Sequence, residues 1–114
     1  MSTFVTNEFR AKPGRGSDVL ALLVALAPES AGRPGCQHIS IRRNQDDPDN
    51  VIGVTQWESR QNWVDYLAWR TANGITATFD EMLAQPMMIR YWDEVPHRWV
   101  DSRPHGSFQT GGGT

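Results

Sequence analysis

Apolar and polar residues alternate across residues 3–9, with Val5, Asn7 and Phe9 on one face and Phe4, Thr6 and Glu8 on the other. A period of two predicts a strand there. Lys12-Pro13-Gly14-Arg15-Gly16 predicts a turn, and Ser17 is placed to cap a helix. Val19, Leu22, Leu23 and Leu26 then recur at helical spacing, so a first helix is expected from about Asp18 to Ala31. Pro28 lies inside this run and is expected to kink it or end it early. Residues 36–43 predict a second strand, with Cys36, His38, Ser40 and Arg42 opposite Gln37, Ile39, Ile41 and Arg43. The polar cluster 44–50 joins it to a third strand, Val51 to Trp57, as an antiparallel hairpin. Ser59 is a second capping residue, ahead of a helix carrying Trp63, Tyr66, Leu67 and Arg70 at i, i+3, i+4 and i+7. Asn73-Gly74 closes that helix with a pair suited to a left-handed cap. Thr78 to Ala84 predicts a short third helix that stops at Pro86, and residues 87–95 predict a fourth strand.

The resulting order, βαββαβ with right-handed crossovers, predicts a ferredoxin-like α+β fold: a four-stranded antiparallel sheet with both main helices on one face. The other sheet face then carries apolar residues such as Ile52 and Val54, provided Trp57 points towards the helices. An apolar face of that extent predicts a homodimer joined through its sheets. The domain is expected to end at residue 95. Residues 96–114, rich in Pro, Gly, Ser and Arg, read as a mobile tail that Trp99 and Phe108 could anchor on a neighbour.

Composition narrows the class. A chain of 114 residues with 39% hydrophobic and 21% charged residues suits one soluble globular domain. The longest apolar run, Val19 to Ala27, is about half of what a bilayer span needs. The first residues lack the basic and apolar regions of a signal peptide, so a cytoplasmic location is expected, with no membrane partner. A net charge of −2 gives nucleic acid no electrostatic foothold. Cys36 is alone, which excludes an internal disulfide and a cysteine-based metal cluster. Five tryptophans, at 57, 63, 69, 92 and 99, exceed what so small a core requires and point to a ligand-facing or partner-facing use.

Most chemistries that leave a motif are missing. There is no Gly-rich phosphate loop, His-Glu-x-x-His or Gly-x-Ser-x-Gly elbow. Gly14-Arg15-Gly16 lacks a third glycine and an acidic ribose partner. Residues 46–50 lack the glycine and closing glutamate of a calcium loop and read as a solvated hairpin tip. Of three histidines, His97 and His105 fall in the tail, so a metal site is not expected. Asp80-Glu81 and Asp93-Glu94 are adjacent in sequence and diverge in space, which removes them as general acid/base pairs.

Asn7 on strand 1, Lys12-Pro13-Gly14 before the first helix, Pro34-Gly35-Cys36 entering strand 2, and Gln56-Trp57-Glu58-Ser59 joining strand 3 to the second helix form a recognisable set. On these residues the chain, over residues 3–95, resembles the antibiotic biosynthesis monooxygenase superfamily of small dimeric α+β barrel proteins. Its haem-degrading members use a strand-1 Asn, a helix-2 aromatic and a histidine just beyond. Asn7 and Tyr66 match the first two, but no histidine stands between His38 and His97. The cofactor-free quinone-forming members use Asn and Trp in a pocket between sheet and helices. Asn7 and Trp57 match, while a second Asn of those enzymes would fall near Gly53.

The resemblance therefore implies a bacterial, cytoplasmic homodimer that needs no cofactor and oxygenates a small aromatic or polyketide-like substrate with dioxygen. A deprotonated, electron-rich anthrone or hydroquinone can pass an electron to dioxygen without metal or flavin, if the protein binds it flat, polarises its oxygen and excludes water. An Asn amide and an indole N–H can both donate to that oxygen. Asn7 and Trp57 are the expected catalytic residues, with His38 as a candidate base. Trp63 and Tyr66 would roof the pocket and Arg90 would hold an anion. Each has a plainer reading. Trp57, Trp63 and Tyr66 can be core, His38 a solvent-facing strand residue, and Arg70 and Arg90 surface or dimer salt-bridge partners. Trp92 and Trp99 fit a dimer surface. A cyclase or isomerase, or a non-catalytic binder of the same ligand, remain alternatives.

Overall fold

The computed structural model describes residues 2–95, so the expectations for residues 96–114, including Trp99 and Phe108, lie outside the described residues. The elements run β1 (Thr3–Arg10), α1 (Gly16–Ala31), β2 (Cys36–Arg43), β3 (Asn50–Trp57), α2 (Arg60–Ala72), α3 (Ile75–Met82) and β4 (Met88–Asp93). The strands form one antiparallel sheet in the order β2-β3-β1-β4. This is the ferredoxin-like α+β arrangement. No described helix is long and apolar enough to cross a membrane.

Strand parity sets the two sides of the sheet. Val5, Asn7 and Phe9 pair across the ladder with Thr55, Gly53 and Val51. These side chains face the helices, and Trp57 with them is fully buried. The inward residues form two apolar clusters, one of Phe9, Val19, Val51, Phe79, Met82 and neighbours, the other of Val5, Trp57 and Trp63. Ile52 and Val54 fall on the opposite side, half-buried, and Trp92 there is 51% exposed.

Four local details depart from the sequence reading. The expected cap Ser17 is inside α1, which begins at Gly16 without a side-chain cap of its own. Its N-terminus is satisfied from a distance: the Asp49 carboxylate accepts from the Gly14 and Gly16 backbone N–H groups at 3.0 and 2.9 Å. The 44–50 turn is thus a brace and not a free tip; Asp47 on it pairs with Arg10. A Cβ at Gly16 would overlap the Pro48 carbonyl, so glycine is what lets the two segments touch.

Pro28 does not end α1, which continues to Ala31. It lies on the exposed side of the helix, where water can satisfy the carbonyl its ring leaves unbonded. α3 starts three residues earlier than expected, because Gly74 adopts a left-handed φ of 82° that turns the chain directly from α2 into Ile75. Ser59 caps α2 as its type suggests, with its hydroxyl accepting from the Asn62 backbone N–H.

Candidate functional site

A cavity lies between the inner sheet face and the three helices, separating the two apolar clusters. It encloses about 650 Å³ between atoms counting its open mouth, and about 70 Å³ in which the centre of a water molecule can sit. The smaller figure is the enclosed space, so a ring-sized ligand would use the open mouth as well. Asn7 (β1), Gly53, Thr55 and Trp57 (β3), and Trp63, Tyr66 and Arg70 (α2) line it. Leu23, Leu26 and Ser30 of α1, Ile39 and Ile41 of β2, Phe79 of α3, and Met87 complete much of the wall. The lining is mostly apolar, which strengthens the few polar groups within it.

Four of the sequence-predicted residues, Asn7, Trp57, Trp63 and Tyr66, are brought together. Trp57, Trp63 and Tyr66 form an aromatic cluster with ring centroids 5.1–5.9 Å apart. This aromatic wall follows from the last residue of β3 meeting the first turns of α2. The Trp57 indole N–H, expected to face a substrate, is instead committed to Thr55 Oγ1 at 2.8 Å. Trp57 therefore offers the cavity a ring surface. The indole nitrogen with no partner is that of Trp63, buried and without a hydrogen bond among the described residues.

His38 and Arg90 do not join the cavity. A β-bulge between Cys36 and His38 shifts the parity of β2. Cys36 packs against the Val5–Trp57–Trp63 cluster, Ile39 and Ile41 face the cavity, and His38 is exposed outside it. The expectation that Cys36 and His38 share a face is corrected by that extra residue. Arg90 pairs in register with Thr6, an outer-face position, and its guanidinium lies 3.7 Å from the Glu8 carboxylate. Neither residue is placed to act as base or anion partner in this cavity.

Arg70 reverses its surface reading. It is 4% exposed and gathers one end of the cavity. Nε donates to the Tyr66 hydroxyl at 3.1 Å and Nη2 to Ser30 Oγ at 2.8 Å. Nη2 also donates to the Leu26 carbonyl at 3.3 Å, and Nη1 to Glu29 Oε1 at 2.9 Å. The Ser30 and Tyr66 hydroxyls are themselves 2.7 Å apart. The signal for Arg70 was its spacing: seven residues beyond Trp63 and four beyond Tyr66, it shares their helix face. Nothing in the sequence marked Ser30 or Thr55, whose roles depend on how α1 and β3 meet α2 and β1.

Asn7 is 9% exposed. Its Nδ2 donates to Met87 Sδ at 3.4 Å, and its Oδ1 has no partner among the described residues. Opposite it stands Gly53, where a Cβ would come within 2.9 Å of Asn7 Oδ1. The glycine that replaces the expected second Asn thus makes room for the first. A glycine inside a strand is a sign of such close approach.

The family model for antibiotic biosynthesis monooxygenases matches residues 2–80. No curated protein matches the chain. Among solved structures it is similar to a conserved protein from Methanosarcina mazei Go1, at 15% identity and a TM-score of 0.74, covering 83% of this chain and 94% of that one. It is similar to Rv0793 from Mycobacterium tuberculosis, at 18% identity and a TM-score of 0.74, covering 85% and 98%. It is also similar to a mutant of SnoaB, a cofactor-independent oxygenase from Streptomyces nogalater, at 12% identity and a TM-score of 0.71, covering 84% and 95%. With the family model spanning the first three strands and the helices that enclose the cavity, the chain belongs to the antibiotic biosynthesis monooxygenase family.

Proposed function

We propose that this protein is a cofactor-independent monooxygenase that oxidises a small aromatic or polyketide-like substrate with dioxygen in the cavity between sheet and helices. The observation that carries the reading is the convergence of Asn7, Trp63 and the Tyr66–Arg70–Ser30 cluster on one mostly apolar space. Family membership and the likeness to SnoaB support the reaction class.

The chemistry follows from what the walls supply. The rings of Trp57, Trp63 and Tyr66 suit a flat, electron-rich ring system. A substrate carbonyl at the Tyr66 end meets a hydroxyl donor backed by a buried guanidinium, which stabilises the enolate formed when the neighbouring carbon loses its proton. Among the described lining residues there is no carboxylate or imidazole, so acidification of the substrate by this donor carries the deprotonation. The enolate gives an electron to dioxygen and the two radicals join as a peroxide at that carbon; the O–O bond then breaks, the returning proton and the remaining C–H hydrogen leave with the outer oxygen as water, and the inner oxygen stays as the product carbonyl. The apolar wall keeps bulk water from quenching the reduced species.

The outer sheet face supports a homodimer in the same reading: Trp92 is 51% exposed there beside half-buried Phe4, Ile52 and Val54.

Oxygen-electrode uptake by chelator-treated protein, offered a panel of anthrones and hydroquinones, tests the reading. Uptake is expected to survive the chelator and to fall by about 10-fold or more in Asn7→Ala. No uptake above buffer with any substrate would overturn it and leave a cyclase or a binding protein.

A further inference from the structure

We propose that Asn7 acts in this cavity as a hydrogen-bond acceptor, held in that orientation by Met87 and Gly53. The cavity then selects a ligand with an O–H donor at the Asn7 end and a carbonyl acceptor at the Tyr66–Ser30 end. The proposal rests on the cavity assignment above and reverses the donor role expected of Asn7 from sequence.

The amide orientation follows from its neighbours. With Nδ2 towards Met87 Sδ at 3.4 Å, one N–H is partnered, and Oδ1 and the second N–H are left over. Turned the other way, the amide would set Oδ1 against a sulfur that donates nothing and would strand both N–H groups. The observed orientation is therefore the favoured one. Oδ1 rests over Gly53, at the place where any other residue would carry its Cβ. Asn7 and Gly53 both line the cavity, and the lack of a partner for Oδ1 there is the kind of buried vacancy a ligand fills.

The far end has the opposite polarity. Arg70 donates to both the Tyr66 and Ser30 oxygens. The two hydroxyls share one hydrogen bond with each other, which uses one of their two protons. Whichever hydroxyl donates in that bond, one proton is left without a described acceptor. The Trp63 indole N–H is likewise unpartnered. Oδ1 of Asn7 wants a donor and the Tyr66–Ser30 pair an acceptor, so a hydroxyaryl ketone, bound with its hydroxyl protonated, completes both.

Binding read by tryptophan quenching tests this without any turnover. The probes are a hydroxytetralone, its methyl ether, unsubstituted tetralone, and the hydroxytetralin that lacks the ketone. The hydroxytetralone is expected to bind about 5-fold or more tighter than each of the others, as befits one neutral hydrogen bond lost at either end. Unsubstituted tetralone controls for the bulk of the methyl group. In Met87→Leu, of similar volume, the amide is released and the preference for hydroxyl over methyl ether is expected to shrink to about 2-fold or less. Equal or weaker binding of the hydroxytetralone by the wild type, or no binding of any probe, would overturn the proposal. An unchanged preference in Met87→Leu would overturn the part given to Met87. The wild-type comparison stands even if that variant does not fold. Intact preference without oxygen uptake on the wider panel counts against the oxygenase reading alone. Uptake without preference counts against the polarity assignment alone.

Discussion

Asn7 is the residue where sequence and structure inform each other most. A carboxamide between Val5 and Phe9 on the buried face of a strand is unfavourable as packing, and the family resemblance rests on the same residue. Its surroundings were not legible, because Gly53 lies across the ladder and Met87 arrives from another strand's approach. Gly53→Ala places a methyl 2.9 Å from Asn7 Oδ1, the movable end of a side chain. It is expected to cost about 1 kcal/mol in chemical denaturation and to displace the amide, lowering oxygen uptake by more than that stability loss explains. Arg70→Ala is expected to be harsher, at about 2–4 kcal/mol, since it removes the buried guanidinium that ties the Tyr66 and Ser30 hydroxyls, the Leu26 carbonyl and Glu29 together. Cys36 gives a simpler test. Burial against the Trp57 cluster raises its thiol pKa above the ordinary value. Alkylation by iodoacetamide is therefore expected to need higher pH than for a free cysteine, whose pKa is about 8.5. The same shift acts on folding. The folded thiol keeps its proton when the unfolded one has begun to lose it, so this contribution is present below the unfolded pKa and lost as pH rises through the folded one.

At the scale of elements, the strands and α2 were readable because their signals are local. Period-two alternation, the Ser59 cap and the Trp63–Tyr66–Arg70 face each lie within one segment. The errors arose where a distant segment decides. α1 begins at Gly16 because Asp49, on the β2–β3 turn, accepts its first N–H. His38 fell off the cavity because a single bulge residue reversed the parity of β2 after Cys36. One extra residue moves every later side chain to the other face, and no alternation pattern reveals it. Asp49→Ala is expected to lower stability by about 1–3 kcal/mol in urea denaturation, through two lost charge-assisted bonds to α1. The neighbouring Asp47 carboxylate is held below its ordinary pKa by the hydrogen bond from Arg10. Its contribution is present above the ordinary carboxylate range and is lost only as pH falls through the lowered value.

For the whole molecule, the fold class and the division of the sheet into a packed and an open face follow from strand order and parity alone. The position of the cavity does not, since it depends on how far the helices stand off the sheet between the Phe9 and Trp57 clusters. The open face supports a second copy as its cover. Val54→Lys, at its centre, is expected to halve the mass seen by analytical ultracentrifugation while leaving the helical signal in circular dichroism intact. The central claim, metal-free insertion of an oxygen atom in this cavity, is tested most directly by turnover under isotopically labelled dioxygen. The chelator-treated protein would act on whichever anthrone gives the fastest uptake, with the product read by mass spectrometry. One labelled oxygen atom is expected in the product, lost in step with activity in Asn7→Ala. Product oxygen drawn from water, or no product at all, would contradict that claim.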